Sequence, residues 1–236
     1  MAASTVKGRC AMRYCCEIIV SMELNSDRLY RLIAGGGLHR LEADSYPEGF
    51  FPGPPSPAAV LMPLFRADGA WHLLFIRRSE HENDHHSGQV AFPGGKVDGG
   101  DIDAVDTALR EAREEIGLDS SHITLLGHLD QYRTISNYLV KPVVAEIPWP
   151  LVLVPDKREV SRIFSIPLNW LADGANYQVN HRVIEGTELP MKVIRFEPYD
   201  GEVLWGVSAR LTINLLQILG LVALDVTSQQ NQVSGD

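Results

Sequence analysis

The chain has little cysteine and carries all of it at one end. Its three cysteines, Cys10, Cys15 and Cys16, fall within the first sixteen of 236 residues. The rest of the chain therefore cannot build a disulfide framework or a cysteine-based zinc site. Because a protein without structural disulfides fits a reducing compartment, we expect a cytoplasmic protein.

Long apolar runs and an excess of positive charge are also missing. The apolar stretch LLQILGLVAL near the C-terminus is interrupted by Gln217 and is too short to cross a bilayer, so no membrane partner is expected. Thirty acidic against twenty-one basic residues give a net charge of −9. Since nucleic-acid binding needs a cationic surface, this balance argues against it. An anionic small molecule would need local neutralisation by a metal or a few basic side chains.

Strand and helix patterns alternate along most of the chain. We predict a disordered N-terminal segment over 1–21, a single domain over 22–225 with a proline-rich linker at 42–57, and a disordered tail over 226–236. A transit peptide is the alternative interpretation of the first segment. Strands interleaved with helices predict an α/β fold, with a mixed β-sheet sandwiched between helices.

The boundaries of several elements can be predicted from local patterns. The runs AAVLMPLF and WHLLFIRR predict two buried strands joined by the turn RADGA. Helices are predicted from Ser26 to a glycine stop at Gly35, from about Asp103 to Ile116, and from about Ser208 to Leu224. Further turns are predicted at Glu185–Gly186 and Asp200–Gly201.

Three glutamates crowd onto the middle helix, in the stretch LREAREEIGL. At 100° per residue its apolar residues form one buried stripe, which Glu111 and Glu115 border. Glu114 lies further round the helix and can pair with Arg110, four residues earlier. Adjacent, partly buried carboxylates repel each other unless a cation lies between them. Mg²⁺ takes one or two carboxylates and fills its shell with water and substrate phosphates, so this border has the composition of a magnesium site.

A solvated acidic helix face is the alternative interpretation of the three glutamates taken alone. The upstream stretch FPGGK favours the metal site, because two glycines at a strand end allow the backbone to approach a ligand or a metal closely.

These residues resemble the Nudix box, the signature of Nudix hydrolases. The box reads G-x5-E-x7-R-E-u-x-E-E-x-G-u, where u is aliphatic or small, and REAREEIGL at 110–118 fits its second half. In the first half, Gly95 leads to Asp101 rather than to a glutamate. Eight residues rather than seven then separate Asp101 from Arg110, which leaves the role of Asp101 open.

This variant of the box resembles the coenzyme A diphosphatase branch of the family. The stretches HHSGQVAFPGG, LWGVSAR and VPDKREVSRIFSIPLNWL are similar to further elements of that branch, and the resemblance runs from about Ala58 to Leu224. Asp84 stands where the branch has an arginine. If that arginine holds the substrate in relatives, Arg77 or Arg78 must replace it here, or the affinity for coenzyme A is weaker.

The resemblance implies a Nudix fold and a metal-dependent hydrolase. The reaction it implies splits coenzyme A, or a thioester of it, into 4′-phosphopantetheine and adenosine 3′,5′-bisphosphate. It further implies that Glu111 and Glu115 bind Mg²⁺ or Mn²⁺, with Glu114 as a further ligand or base. Arg110 would orient the carboxylates, and the backbone carbonyl of Gly94 would be an additional ligand.

The box does not specify two further components of the site, which are the base and the residues that bind the substrate. Family members often take their base from a distant loop, and Glu159 is the candidate here. Arg77, Arg78 and Lys96 flank the glycine turn and are the candidate basic cluster for the substrate. The partner is then a small-molecule nucleotide similar to coenzyme A, and a homodimer stays open.

Two other functions stay open as well. The box indicates cleavage of a pyrophosphate bond but does not identify the groups attached to the pyrophosphate. The substrate could therefore be ADP-ribose or a dinucleotide. A catalytically silent nucleotide-binding protein on the same fold is the other alternative. The intact stretch REAREE argues against the silent protein, because a decayed site is expected to lose at least one acid.

Overall fold

The computed structural model describes residues 24–35, 46–80, 87–183 and 190–223. The described residues form four α-helices and ten strands. The helices are α1 (Ser26–Ala34), α2 (Ala104–Ile116), α3 (Leu168–Ala172) and α4 (Gly206–Ile218). The strands are β1 (Ser56–Ala67), β2 (Ala70–Arg78), β3 (Val90–Ala91), β4 (Gly94–Lys96), β5 (Thr124–His128), β6 (Tyr132–Arg133), β7 (Tyr138–Glu146), β8 (Val160–Pro167), β9 (Tyr177–Val183) and β10 (Pro190–Phe196).

An eight-stranded mixed sheet lies at the centre of the fold. Its strand order is β3-β2-β1-β7-β5, while β4 pairs with β1, β6 with β7 and β8 with β2. The pairing of β1 with β7 is parallel, and the other pairings of this sheet are antiparallel. β9 and β10 form a separate antiparallel pair.

Alternate residues of the strands face two apolar layers, one on each side of the sheet. Along β1, Met62 and Leu64 face the layer that includes residues of α1, α3 and α4, whereas Leu61 and Phe65 face the layer that includes α2. The sheet therefore lies between helices, and the predicted α/β fold with a sandwiched mixed sheet is confirmed. No helix within the described ranges is long and apolar enough to cross a membrane.

Two of the predicted turns are present and have the backbone that their residues favour. Asp68 and Gly69 both adopt positive φ between β1 and β2, and Asp200 and Gly201 do so between the bridged residues 199 and 202. Aspartate and glycine tolerate this left-handed backbone better than other residues. The predicted turn at Glu185–Gly186 lies outside the described residues, as do the predicted disorder at 1–21 and at 226–236.

Two predicted boundaries are wrong. The linker predicted at 42–57 ends earlier, because Ser56 pairs with Tyr138 of β7 and so begins β1; residues 42–45 lie outside the described ranges. The last helix ends at Ile218 and not at Leu224. Gly220 adopts a φ of 72° and donates its N–H to Gln217, which closes the helix before the apolar pattern ends.

Candidate active site

Both ends of α2 are held by local groups that the sequence provides. The carboxylate of Asp103 caps the first turn, accepting hydrogen bonds from the N–H groups of Val105 and Asp106 at 2.8 and 2.9 Å. Gly117 ends the helix with a φ of 67°. Ala108, Ala112 and Ile116 of the apolar stripe are fully buried against the sheet. The burial of this face fixes the rotation of the helix and therefore the direction of its glutamates.

The glycine turn of β4 lies directly against two of those glutamates. The N–H of Gly94 donates to Oε2 of Glu115 at 3.0 Å. A Cβ on Gly95 would lie 2.6 Å from Cδ of Glu111, and one on Gly94 would lie 2.6 Å from Cα of Val60. Side chains at either glycine would therefore push β4 away from the carboxylates or from β1. The close approach expected from FPGGK is present here.

Arg110 forms hydrogen bonds with three acidic residues of the site. Its guanidinium donates to Asp101 at 2.8 and 3.0 Å, to Glu111 at 2.9 Å and to Glu114 at 3.2 Å. A further hydrogen bond of 3.1 Å runs to the carbonyl of Lys96. The predicted pairing of Arg110 with Glu114 is confirmed. Glu111 is thus held between Arg110 and β4, while Glu114 lies on the exposed side.

Asp101 anchors Arg110, a role that the sequence left open. Its side chain is only 3% exposed and also accepts hydrogen bonds from the N–H of Asp98 and the hydroxyl of Thr107, both at 2.8 Å. The hydrogen bonds from Arg110 are the main cause that holds the pKa of Asp101 well below its usual range. The available signal was the place of Asp101 at the first acid of the box.

Glu115 is the most deeply buried acid of the group. It is 2% exposed, and burial raises its pKa to about 8. The hydrogen bond from Gly94 and the charge of Arg78 oppose this rise, whereas the charges of Glu111 and Glu159 add to it. Burial also raises the pKa of Glu111. Glu115 therefore needs a neighbouring cation to ionise fully at neutral pH.

A segment far along the chain brings Glu159 to the same place. The N–H groups of Val154 and Asp156 bond to the carbonyls of Ile116 and Glu115, each at 2.9 Å. The N–H of Glu159 then bonds to Asp156, and its carbonyl accepts from Ser79. Although Glu159 is exposed, its charge acts on both Glu111 and Glu115. No local pattern predicts these contacts, because they join residues about forty positions apart.

The carboxylates of Glu111 and Glu115 and the carbonyl of Gly94 fit a divalent cation such as Mg²⁺. They are carboxylate and carbonyl oxygens, which Mg²⁺ and Mn²⁺ prefer. Within the described part of the chain, no three or more Asp, Glu, His or Cys side chains form a complete metal cage. Mg²⁺ does not need one, since it is bound by one or two carboxylates together with water and substrate phosphates. A cation beside Glu111 and Glu115 would also offset the energetic cost of burying their negative charge.

The three bases expected to bind substrate have different partners in the structure. Arg77 pairs with Glu80 at 3.3 Å and with the buried Glu202 at 3.5 Å, so carboxylates already offset its charge. Arg78 acts on Glu115. The Nζ atom of Lys96 lies 5.4 Å from the ring centroid of Tyr138. Asp84 lies outside the described residues.

Comparison with known proteins assigns the family. The profile of the NUDIX domain matches residues 55–185, which is more than half of the chain. The chain belongs to the Nudix family. An uncharacterized Nudix hydrolase, NudL, from Yersinia pestis (strain Pestoides F) is 34% identical over 169 residues, which are 68% of this chain and 78% of NudL.

Solved Nudix structures are also similar to the chain. The Nudix hydrolase RenU from M. smegmatis is 25% identical, with a TM-score of 0.43, and the match covers 51% of this chain and 76% of RenU. An Ap4A hydrolase from C. elegans is 22% identical, with a TM-score of 0.41, and the match covers 48% of this chain and 80% of the hydrolase.

The predicted family and enzyme class are thereby confirmed. The chain is a Nudix hydrolase, an enzyme that acts on nucleoside diphosphate derivatives. Its box is the loop and helix that hold Glu111, Glu114 and Glu115 against the glycine turn of β4. Nudix hydrolases generally use divalent metal ions such as Mg²⁺ or Mn²⁺.

Proposed function

We propose that this Nudix hydrolase cleaves the pyrophosphate of coenzyme A or of its thioesters, using Mg²⁺ or Mn²⁺. The observation that carries the metal-dependent chemistry is the pair formed by the half-buried Glu111 and the buried Glu115 against β4. Glu111 and Glu115 are the proposed main ligands of the cation. Glu114 and the carbonyl of Gly94 are the proposed additional ligands.

When bound, such a cation neutralises phosphate oxygens and lowers the pKa of a coordinated water. In the reaction, the oxygen of a water molecule bonds to one phosphorus atom, and the bond from that phosphorus to the bridging oxygen breaks, so that the other phosphate leaves with the bridging oxygen. Glu159 is the proposed base that takes the proton of the water on its carboxylate. Its support is its charge beside Glu111 and Glu115, together with two backbone hydrogen bonds that hold its position.

Arg110 and Asp101 are proposed to position the carboxylates. Arg110 donates to Glu111 and Glu114 at the same time, so neither carboxylate is free to turn away. Asp101 fixes the guanidinium of Arg110 by two hydrogen bonds. Asp101 therefore reaches Arg110, although it is an aspartate and eight residues instead of seven separate it from Arg110. This contact accounts for the departure from the usual box.

The choice of coenzyme A rests on several sequence elements that occur together. The Asp101 variant of the box, GQVAFPGG and LWGVSAR all resemble the coenzyme A branch. Lys96 and Arg78, on either side of the glycine turn, are the proposed contacts for the anionic substrate. Arg77 contributes less charge to this task, because Glu80 and Glu202 already pair with it.

A substrate panel followed by mass spectrometry tests the proposal. Coenzyme A, acetyl-coenzyme A, ADP-ribose, a dinucleoside polyphosphate and a nucleoside triphosphate are each incubated with Mg²⁺ or Mn²⁺. We expect coenzyme A to give 4′-phosphopantetheine and adenosine 3′,5′-bisphosphate, and EDTA to stop the reaction. Turnover of ADP-ribose roughly tenfold or more above that of coenzyme A would assign the chain to the other substrate class.

A further inference from the structure

A cavity of about 560 Å³ opens on the α2 side of the sheet, away from the glutamates. Its floor is formed by three strands, with Phe65 from β1, His72 from β2 and Ser165 from β8. Phe65 is five residues along β1 from Val60, the partner of Gly94, so about 17 Å separates the cavity from the glycine turn. The volume is typical of small-molecule sites.

The walls of this cavity are flat aromatic rings. The ring of Trp149 stacks on Phe65 with centroids 4.2 Å apart and planes at 23°, yet the side chain remains 44% exposed. On the floor, His72 stacks on Phe65 at 5.4 Å. Tyr199 lines another part of the cavity, and its ring is held by an edge contact of 4.9 Å to Trp170. The rings are thus fixed by protein contacts before any ligand binds.

The polar groups of the cavity suit an uncharged ligand. Ser165 Oγ and His72 Nδ1 are 3.2 Å apart, and burial lowers the pKa of His72, which favours the neutral imidazole. No lysine or arginine is among the described residues that line the cavity. Asp200 lines its edge and pairs with Arg162. This lining offers hydrogen bonds to ring heteroatoms but no counter-charge for a phosphate.

We propose that the cavity is a second ligand site, distinct from the reaction centre, which binds an uncharged heteroaromatic ring such as the purine of a nucleoside. The ring stacks on Trp149 and Tyr199, because aromatic side chains bind the flat faces of bases. A ring nitrogen or exocyclic group bonds to the hydroxyl of Ser165. An anionic nucleotide binds more weakly, since no basic side chain is among the described residues that line the cavity and the net charge of −9 repels the phosphate.

The probe is adenosine, which has no phosphate and therefore cannot be hydrolysed by the proposed reaction. The full chain is titrated in EDTA while the indole N–H signals of its four tryptophans are followed by NMR. We expect a saturable shift of the Trp149 signal, which the Trp149→Phe variant identifies by its absence. Adenosine 5′-phosphate is titrated in parallel and is expected to bind more weakly than adenosine.

Four variants locate the site, and their affinities for adenosine are measured by calorimetry, because two of them lack the Trp149 signal. Trp149→Ala is expected to lower the affinity for adenosine roughly tenfold, whereas Trp149→Phe keeps a stacking ring and most of the affinity. Ser165→Ala leaves the rings in place and is expected to lower the affinity about threefold, so it serves if Trp149→Ala does not fold. Trp205→Ala removes another half-exposed tryptophan, one that does not line the cavity, and is the matched control.

Several results would overturn the proposal. These are the absence of a saturable shift, binding that Trp149→Ala and Ser165→Ala both leave unchanged, and tighter binding of adenosine 5′-phosphate than of adenosine. This test is independent of the proposed function, because the titration needs neither metal nor turnover. Adenosine binding that Trp149→Ala weakens supports a separate site even if coenzyme A is not cleaved, whereas binding that Trp149→Ala leaves unchanged would place adenosine elsewhere.

Discussion

The helices α2 and α4 have the same length of thirteen residues but are held in place by different forces. α2 has a side-chain cap at Asp103, an ion-pair network at Arg110 and two glutamates along the border of its buried face. α4 has no side-chain cap, and most of its residues between Ala209 and Ile218 are buried in the larger apolar layer. α2 is therefore positioned by polar contacts in addition to the burial of its apolar stripe, whereas α4 is positioned by burial.

Because of this difference, we expect α2 to contribute mainly to turnover and α4 mainly to the stability of the fold. Polar contacts are directional, so they can aim Glu111 and Glu115 at β4, but each contributes modestly to the free energy of unfolding. Burial has no direction but contributes strongly to that free energy. Substitutions in α2 should therefore change turnover more than stability, and substitutions in α4 should do the reverse.

The largest expected effect is on turnover in the Glu115→Gln variant. Glutamine keeps the shape of the side chain but cannot act as an anionic ligand, so hydrolysis is expected to fall by about two orders of magnitude or more. Metal binding, measured by calorimetry, should weaken as well. The melting temperature without metal should hold or rise, because the buried carboxyl with a pKa of about 8 is removed.

The control for this variant is Arg113→Gln, which changes an exposed residue of the same helix. It should retain the turnover of the wild type. Turnover of Glu115→Gln within about tenfold of the wild type at saturating metal would show that Glu115 is not a ligand.

The largest expected effect on stability is in α4, with Leu215→Ala. Leu215 is fully buried, so its truncation should lower the free energy of unfolding by about 2–5 kcal/mol. The turnover of the folded protein should stay close to that of the wild type. Urea unfolding and specific activity at low temperature measure the two quantities, and a loss of activity without a loss of stability would contradict the comparison.

A smaller effect on turnover is expected for Asp101→Asn. The neutral amide holds Arg110 less firmly, so turnover should fall roughly tenfold, as for other residues that position metal ligands. The pKa of Asp101 is lowered in the folded protein, so its carboxylate stabilises the fold above the unfolded value of 3.8. That contribution is lost as the pH falls below this value.

Thermal unfolding of the wild type and of Asp101→Asn between pH 7 and pH 2 checks the direction of this pH dependence. The wild type should melt higher than Asp101→Asn at pH 7, and the two melting temperatures should converge in acid. A gap that widens as the pH falls would show that Asp101 does not act as a carboxylate paired with Arg110.

The smallest effect is expected for Asp103→Ala, at the start of α2. Loss of the two hydrogen bonds of the cap should lower the free energy of unfolding by about 1 kcal/mol. Turnover should change little, because Arg110 and β4 still hold the glutamates. Ser208→Ala is the matched substitution in the first turn of α4, where no side-chain cap exists, and should cost less.

The local part of the candidate site could be predicted from the sequence. The range of α2, its buried stripe and the pairing of Arg110 with Glu114 follow from the helical repeat, which relates residues three and four positions apart. The glycine turn before the helix could also be read, since two glycines at a strand end mark a close approach. The end of the last helix was misplaced, because an apolar pattern continued past the glycine at 220.

The sequence by itself determined which groups form the candidate site of this Nudix hydrolase, because they are adjacent on one helix and one turn. Only the tertiary structure decided their surroundings: the burial of Glu115, the arrival of Glu159 beside it and the neutralisation of Arg77 by Glu202. These depend on hydrogen bonds and ion pairs between segments far apart in the chain. Such contacts leave no periodic pattern, since their partners are brought together only when the strands pair.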